Sequence, residues 1–337
     1  MGVKTDNIIP RKKINFEDLK NQRIAIDASN MLYQFISSIR QRDGTPLMDS
    51  KGRTTSHLMG IMTRLSNLMA KDIKLCVVFD GKMPLLKLAE IENREHRKNL
   101  AAIKLENAIQ EKNFEDVYKY SKQNLRLAKE MIDEAKLLIN YLGLPVIQAP
   151  GEADAQAAFM CKNGDVEYVA SSDIDCLVYG APYLVTNLTL SMKRKLPNGQ
   201  IVYTKPDLIS LKEVLGKLEI SQEQLIVMAI LIGTDYNKGG IPGIGPKKAL
   251  TLVKKYNDYN KMFMELKADF NWKDVFEVFT NHDIKKDYKL VWDEINKEKI
   301  ISLLVDEHDF SLERVEKILT QKEQKTKTEG LGKWLNR

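Results

Sequence analysis

The stretch Arg23-Ile24-Ala25-Ile26-Asp27 decides the fold class, because it is a short apolar run that ends in an acid. Three further apolar runs each lead to an acid in the same way, namely Leu75-Cys76-Val77-Val78-Phe79, Pro145-Val146-Ile147 and Glu167-Tyr168-Val169-Ala170-Ser171. Apolar character that is continuous rather than alternating is typical of strands buried on both faces, as in a parallel sheet. These runs therefore predict neighbouring strands of one buried sheet.

Helical stretches lie between these runs, and we place them at Ala28–Ile39, Ser56–Met69 and Ala153–Lys162. An alternation of strands and helices predicts an α/β fold, in which a mostly parallel central sheet is flanked by helices. The ligand site of such a fold lies at the carboxyl ends of the strands. The acids that follow the strands all belong to that end.

The segment between Pro84 and Gly143 contains neither glycine nor proline. It is rich in lysine, glutamate, alanine and leucine, which predicts an extended helix. Up to about Lys129 it is too polar for an ordinary buried crossover between strands. We therefore expect a helical arch over about residues 82–136 that projects above the sheet.

The second half of the chain differs in character. Leu196-Pro197-Asn198-Gly199 predicts a hairpin, and residues from about Ser210 to Leu319 are expected to be helical. Residues 1–319 are expected to form one domain, followed by a flexible tail over residues 320–337. The start of that tail, Thr320–Glu329, is too poor in apolar residues to fold alone.

The composition bounds the class of protein. The chain has 337 residues, 43% of them apolar, which is enough for a substantial core, and its net charge of +6 suits a polyanionic partner without establishing one. Cys76, Cys161 and Cys176 form neither a CxxC pair nor a disulfide framework, which indicates a reducing compartment. Because no signal-like segment or membrane-spanning run is found, we expect a cytoplasmic protein without a membrane partner.

The strongest chemical signal is a set of acids that follow strands or begin helices: Asp27, Asp80, Glu152, Asp154, Asp173, Asp175 and Asp235. Crowded carboxylates repel one another and resist ionisation unless cations neutralise them. No histidine or cysteine set accompanies them, so the ligands would all be oxygen, which favours Mg²⁺ or Mn²⁺ over Zn²⁺. Two such ions would activate a water and stabilise the leaving oxygen in phosphodiester hydrolysis.

Each acid taken singly has a plainer interpretation. Asp27, which precedes Ala28, and Asp154, at a predicted helix start, both suit a helix N-cap. For one aspartate the cap is the better interpretation. Acids that converge in this number on one sheet edge favour the metal site.

Five segments resemble, in order and spacing, the motifs of the flap endonucleases: Ile26-Asp27-Ala28-Ser29, Val78-Phe79-Asp80-Gly81-Lys82, Pro150-Gly151-Glu152-Ala153-Asp154-Ala155, Asp173-Ile174-Asp175-Cys176-Leu177 and Gly233-Thr234-Asp235-Tyr236. Thr54-Thr55-Ser56-His57-Leu58-Met59-Gly60 and Gly243-Ile244-Gly245-Pro246-Lys247 add to the match, which covers nearly the whole chain. The pattern is most similar to the archaeal members. The resemblance implies a structure-specific nuclease domain in which these acids form a two-metal cluster.

The resemblance also implies roles for basic and aromatic residues. Lys87 and Arg94 match the pair that holds the scissile phosphate, and a separation of two helical turns puts both on one face. The plainer interpretation is a solvated surface with an ordinary Glu90–Arg94 pair. Tyr33 matches an aromatic that stacks on the base beside the cleaved bond, although it equally suits the core face of an amphipathic helix.

Residues of about 225–256 resemble the helix-two-turn-helix of the family, whose turn binds the DNA backbone. The implied DNA-binding residues here are Gly233, Gly243, Gly245, Lys247 and Lys248. In the family a K⁺ ion bridges this turn to DNA, whereas the plainer interpretation of a stretch rich in glycine and proline is a loop. Thr55 lies where the family grips a short 3′ flap, and it also suits a helix N-cap.

The tail residues Leu331, Trp334 and Leu335 have the spacing of an apolar plug on one helix face. They resemble the peptide with which flap endonucleases bind the sliding clamp (PCNA), although Thr328 stands where the family has glutamine. The alternative is an ordinary frayed terminus, which the tryptophan disfavours.

These features together predict a Mg²⁺-dependent 5′ flap endonuclease, with room for 5′–3′ exonuclease activity, that acts in Okazaki fragment maturation and DNA repair. Its expected partners are branched DNA, such as 5′ and double flaps, and the clamp, with the protein itself a monomer. A non-catalytic, clamp-tethered junction binder is the alternative, but it has no reason to keep acids that oppose DNA binding. A phosphatase of the haloacid dehalogenase type needs an aspartate where Ser29 stands, and nucleases that degrade duplex ends or cut bubbles are closer rivals.

Overall fold

The computed structural model describes residues 8–41, 43–111, 113–190, 193–195 and 200–320. The predicted hairpin turn at residues 196–199 and the predicted clamp-binding residues Leu331, Trp334 and Leu335 lie outside these ranges. Within these ranges, no helix is both long and apolar enough to cross a membrane.

A mixed seven-stranded sheet forms the centre of the fold. The strands of the described chain are β1 Lys12–Lys13, β2 Arg23–Asp27, β3 Lys74–Phe79, β4 Val146–Gln148, β5 Tyr168–Ala170, β6 Tyr183–Thr186, β7 Lys193–Lys195, β8 Ile201–Tyr203 and β9 Asp207–Ser210. The order in the sheet is β1-β9-β6-β5-β2-β3-β4, and β7 pairs with β8 separately. Strands β4, β3, β2, β5 and β6 are parallel, whereas β9 is antiparallel to β6 and β1. The predicted mostly parallel sheet is confirmed.

The helices flank this sheet and follow it along the chain. They include α1 Ala28–Ser38, α2 Ser56–Gly60, α3 Ser66–Met69, α4 Leu88–Gln110, α5 Phe114–Gln123, α6 Lys129–Tyr141, α7 Ala153–Lys162, α8 Asp175–Val178, α9 Leu211–Leu218, α10 Gln222–Ile232, α11 Pro246–Lys255, α12 Tyr259–Glu265, α13 Trp272–Thr280 and α14 Lys297–Ile301. Residues 312–320 are also helical. A π-helical turn, Ile61–Leu65, joins α2 to α3, so the predicted helix Ser56–Met69 is observed over its full length.

Alternate residues of the central strands are buried against opposite faces of the sheet. Ala25 and Cys76 pack with residues of α7, α8 and α10 on one face. Ile24 and Leu75 pack with residues of α1 and α6 on the other. Burial on both faces explains why the strand sequences are continuously apolar.

The predicted extended helix between Pro84 and Gly143 is wrong in detail, because the segment forms three helices, α4, α5 and α6. Asn113 begins α5 by accepting the backbone N–H of Asp116 at 3.2 Å, and a cap of this kind favours a new helix start. Arg40 ties α5 to the body of the protein through its contact with Ser121 Oγ at 2.5 Å. We refer to α4 and α5 together as the arch.

The predicted helical second half is also interrupted. Residues 281–296 form no helix, and their backbone groups bond to distant segments instead. The side chain of Gln156 donates to Lys285 O at 2.9 Å and accepts from Lys285 N at 2.7 Å. Asp293 N donates to Gly143 O at 3.0 Å. These long-range partners substitute for helical hydrogen bonds, which sequence periodicity does not reveal.

Candidate active site

The acids that follow β2 and β3 lie side by side, because these strands are parallel neighbours with Asp27 opposite Val78. Asp27 ends β2 and also caps α1, since its Oδ1 accepts Asn30 N at 3.1 Å. Asp80 follows β3, and its Oδ1 accepts Ala153 N at 2.8 Å. That contact joins the end of β3 to the start of α7.

The loop at Gly81 brings Asp80 close to the loop before α7. Gly81 N donates to Gly151 O at 2.7 Å, and Lys82 N donates to Pro150 O at 2.9 Å. A Cβ at position 81 would lie 2.1 Å from Ala149 O, so the two loops can pair only because this residue is glycine. The pairing sets Glu152, just before α7, beside the end of β3.

Asp154 lies one residue inside α7 rather than at its N-cap position, which is Glu152. The capping interpretation of Asp154 is therefore wrong, whereas that of Asp27 is correct. Asp154 Oδ1 accepts the Cys176 thiol at 2.9 Å. Because Cys176 belongs to α8, this contact links the starts of two helices at the same edge of the sheet.

Asp173 lies in the tight turn that follows β5, and Asp175 is the first residue of α8. Asp173 N donates to Ser171 Oγ at 3.1 Å, and Asp175 N donates to Asp173 Oδ1 at 3.1 Å. Since β5 is the parallel neighbour of β2, this turn lies next to Asp27. Ser171 Oγ in turn donates to Asp27 Oδ2 at 3.4 Å.

Asp235 comes from a different layer, in the turn that follows α10. Gly233 has a φ of 110°, which allows the chain to reverse there. Asn237 fixes the turn, because its Oδ1 accepts Thr234 N at 3.1 Å and its Nδ2 donates to Ile230 O at 2.7 Å. Asp235 lies between Thr234 and Asn237 in this turn.

Two cations from the base of the arch reach these acids. Lys87 Nζ lies 2.6 Å from Glu152 and 3.5 Å from Asp235, and its side chain is only 12% exposed. Arg94 donates through Nη2 to Asp235 Oδ1 at 2.6 Å. Lys87 and Arg94 therefore converge on one carboxylate. The Glu90–Arg94 pair of the plainer interpretation is also present, at 2.9 Å, but Glu90 is buried, so this is not a solvated surface pair.

The pKa values of the acids in this site shift in different directions. Burial, together with the charges of Asp80 and Asp173, raises the pKa of Asp27 to about 7. Burial and neighbouring acids also raise the pKa of Asp154 well above its usual value. Asp235 behaves in the opposite way: burial raises its pKa, but nearby positive charges, including Lys87, outweigh burial and lower it.

The oxygen ligands of these acids suit a hard divalent cation. We refer to the acids together as the acidic edge: Asp27, Asp80, Glu152, Asp154, Asp173, Asp175 and Asp235. Asp27 accepts from Asn30 and Ser171, and Asp154 accepts from Cys176, so these partners are neutral. Burial first and neighbouring acids second raise the pKa values of Asp27 and Asp154, and a bound cation would favour their ionised forms. Within the described ranges, no three acidic, histidine or cysteine side chains converge closely enough to enclose an ion. Ion pairs such as Lys87–Glu152 instead orient individual carboxylates towards basic side chains.

Tyr33 and Thr55, also singled out from the sequence, lie in contrasting environments. Tyr33 is 38% exposed and faces the arch, with Lys98 Nζ 5.9 Å from its ring centre, so it is not a core residue. Thr55 is 4% exposed and makes no capping hydrogen bond, which leaves little of its side chain for a ligand.

The glycine-rich turn between α10 and α11 presents backbone and lysines to solvent. Gly243 has a φ of 75°, and neither Gly243 nor Gly245 has any atom within 4 Å of an added Cβ. Lys247 and Lys248 are exposed in the first turn of α11. Asp235 lies in the same connecting segment, between α10 and α11.

Several residues of the site were missed in the sequence. The Ser29 hydroxyl donates to Asp80. Tyr236 bonds to Tyr179 through their hydroxyls at 2.5 Å and lies under Lys87. Glu90, named from the sequence only as a surface partner of Arg94, is buried at the base of the arch. A signal for Glu90 existed, since its spacing places it on one helix face with Lys87 and Arg94.

Comparison with known proteins identifies relatives of this chain. Residues 1–101 match the XPG N-terminal domain, and residues 143–235 match the XPG I-region. The chain is 50% identical over 316 residues to flap endonuclease 1 of Pyrococcus abyssi, covering 94% of this chain and 92% of that protein.

Solved structures also include a flap endonuclease that is similar to this chain. Flap endonuclease-1 from Methanococcus jannaschii superposes with a TM-score of 0.78 at 39% identity, over 97% of this chain and 100% of that one. The catalytic core of Rad2 in complex with a DNA substrate has a TM-score of 0.68 at 22% identity, over 93% of this chain and 96% of that one. The second likeness is one of fold alone.

Proposed function

The chain belongs to the flap endonuclease family and is a nuclease, and on that premise we propose that its acidic edge is a two-metal centre. Its reaction is the hydrolysis of a phosphodiester near the base of a 5′ flap, in Okazaki fragment maturation and DNA repair. The observation that carries the proposal is the convergence of Lys87 and Arg94 on Asp235, with Lys87 also paired to Glu152 at the start of α7.

The ligands in this proposal are all carboxylates, namely Asp27, Asp80, Glu152, Asp154, Asp173, Asp175 and Asp235. Mg²⁺, for which Mn²⁺ can substitute, would supply activation of a water and neutralisation of the leaving oxygen. Asp27 and Asp154 would be fully ionised in the loaded site, since a bound cation reverses the effect of their acidic neighbours.

Lys87 and Arg94 would hold the scissile phosphate. Burial lowers the pKa of Lys87, but Glu152 and Asp235 outweigh burial and raise it, so the amine stays charged. A phosphate that enters the edge would take over part of the contacts that Lys87 now makes with Glu152. Both cations are positioned before the substrate arrives, which reduces the cost of reorganisation in the transition state.

The remaining DNA contacts would lie on both sides of the acids. Lys247, Lys248 and the backbone at Gly243 and Gly245 would hold duplex phosphates, with K⁺ as a bridging ion. Tyr33, exposed under the arch, would stack on a base beside the cleaved bond. The backbone around Thr55 would contact the opposite side of the junction.

Partners of this chain are proposed on the same basis. Branched DNA is the substrate, and the sliding clamp would bind Leu331, Trp334 and Leu335 through their apolar side chains. A monomer is sufficient, because the proposed ligands and cations all come from one chain.

Cleavage of an end-labelled double-flap DNA on a denaturing gel tests this function. We expect the wild type to make one Mg²⁺-dependent cut near the flap base and none in EDTA. Asp173→Ala should lose the cut while it still binds the DNA, and Asp133→Ala, which changes an exposed acid of α6, should cut as the wild type does. Tight binding by the wild type without any cut would instead indicate a non-catalytic junction-binding protein.

A further inference from the structure

Glu90 is the buried acid at the base of the arch. Its Oε1 accepts Arg94 Nε at 2.9 Å and Arg97 Nη2 at 2.9 Å. Its Oε2 lies 2.8 Å from Lys238 Nζ, in an ion pair that does not have the geometry of a hydrogen bond. Only 7% of the Glu90 side chain is exposed, so one desolvated carboxylate gathers three cations.

The Arg94 guanidinium is held at two points. Nε points to Glu90, and Nη2 points to Asp235 at 2.6 Å. A guanidinium is planar, so two fixed N–H groups determine the orientation of the whole group. Glu90 supplies the contact that does not depend on the acidic edge.

Lys238 connects Glu90 to the turn that carries Asp235. The turn is rigid, because Gly240 N donates to Asn237 O at 3.1 Å and Asn237 is itself bonded to Ile230 O. Glu90 therefore contacts both the residue that binds Asp235 and the segment in which Asp235 lies.

We propose that Glu90 is a positioning residue, which orients the Arg94 guanidinium towards the acidic edge and keeps it there when a substrate phosphate displaces Asp235. This inference rests on the proposed function, since it gives Arg94 a phosphate to hold. Glu90 itself touches no reacting atom. Without it, Arg94 would retain its charge but lose its fixed direction.

Single-turnover cleavage of flap DNA by a set of variants tests the inference. Glu90→Gln keeps the shape of the side chain and removes its charge. We expect the rate to fall about tenfold to 100-fold, the loss typical of residues that orient a functional group without touching the substrate. Glu95→Gln is the matched control, because Glu95 lies on the same helix and pairs with Lys98 and Arg126 away from the acids. Its rate should equal that of the wild type.

The double variant separates positioning from a merely structural role. If Glu90 acts through Arg94, then Glu90→Gln should cost almost nothing further in an Arg94→Ala background. An equal loss in both backgrounds, or a Glu90→Gln rate equal to the wild-type rate, would overturn the inference.

A second readout does not depend on cleavage. The Nε–H signal of Arg94 in ¹⁵N-arginine-labelled protein, assigned by its loss in Arg94→Lys, should shift and exchange faster with water in Glu90→Gln but not in Glu95→Gln. An unchanged signal in Glu90→Gln would refute the orienting contact. A changed signal in a protein whose wild type does not cut flap DNA would instead refute the proposed function alone.

Discussion

At Asp27 the two interpretations of an acid after a strand coincide. It caps α1 through Asn30 N, and it also faces the acids of the neighbouring strands. The cap fixes the side chain in one orientation, while the second carboxylate oxygen accepts a long 3.4 Å contact from Ser171. Capping a helix therefore leaves an oxygen for the acidic edge rather than competing with that role.

Lys87→Ala tests the cation nearest to Glu152. Loss of one preorganised charge from such a site typically costs a factor of about 10²–10³ in rate. We expect the single-turnover cleavage rate to fall by that factor, with little change in the affinity for flap DNA. Lys212→Ala, which changes an exposed lysine of α9, is the control and should leave the rate unchanged. A Lys87→Ala rate within about twofold of the wild type would show that the phosphate is held elsewhere.

A buried histidine makes stability depend on pH. Burial lowers the pKa of the His57 imidazole below its usual value, although Glu134 at 3.2 Å raises it in part. The unfolded chain then binds a proton that the folded protein does not, so the stability linked to His57 is present above about pH 6.5 and is lost as the pH falls below it. His282, whose pKa is also lowered by burial, adds to this effect.

The measurement is the free energy of urea unfolding at several values between about pH 7 and pH 5. We expect the free energy of unfolding of His57→Gln to rise relative to that of the wild type as the pH falls, because the variant lacks the group with the lowered pKa. The raised pKa values of Asp27 and Asp154 act in the opposite direction, but equally in both proteins. His96→Gln, which changes an exposed histidine, should keep the wild-type slope. Equal slopes in all three proteins would show that His57 is not the titrating group.

Among the elements, the turn after α10 is the most constrained. A Cβ at Gly233 would lie 2.6 Å from Gly240 N, and the φ of 110° is one that other residues rarely adopt. We expect Gly233→Ala to lower the free energy of unfolding by about 1–3 kcal/mol. Chemical denaturation measures this, and the same variant should cleave more slowly because Asp235 shifts.

Gly216→Ala provides the comparison for that experiment. Gly216 lies inside α9 with nothing within 4 Å of an added Cβ. Alanine there should raise stability by about 0.5–1 kcal/mol, since glycine is unfavourable in a helix. An unaffected Gly233→Ala would contradict the described turn geometry, and a destabilised Gly216→Ala would contradict the open helical environment described for Gly216.

Elements with strong periodicity were predictable, whereas their interruptions were not. The strand ending at Asp27 and the helix Ala153–Lys162 agree with the structure, because continuous apolar runs and helix starts are local signals. The arch was predicted as one helix but breaks before Phe114. No glycine or proline marks that break, and its one local signal is the capping residue Asn113. The docking of Arg40 on Ser121 is a tertiary contact that local sequence does not encode.

For the whole molecule, topology explains why the acids could be located from the sequence. Parallel strands present their carboxyl ends at one edge, so Asp27, Asp80 and Asp173 had to be neighbours once the strands were recognised. The partners of these acids were less predictable. The Cys176 contact with Asp154 and the burial of Glu90 depend on how helices pack, which residue spacing alone does not determine.

The salt dependence of DNA binding tests the proposed surface of α11. Each phosphate contact by a lysine contributes about 0.9 to the slope of log affinity against log salt concentration. We expect Lys247→Gln and Lys248→Gln each to reduce the slope by about that amount in fluorescence anisotropy. Lys212→Gln should not change it. Unchanged slopes in both α11 variants would mean that this helix does not contact the DNA backbone.

Mn²⁺ binding to the DNA-free protein, followed by electron paramagnetic resonance, tests the proposed metal centre most directly. We predict that the wild type binds two ions per chain, and that a variant combining Asp154→Asn with Asp173→Asn binds fewer at the same concentration. Asp133→Asn should bind as the wild type does. If the wild type bound no more Mn²⁺ than the Asp154→Asn, Asp173→Asn variant, these carboxylates would not be the metal ligands.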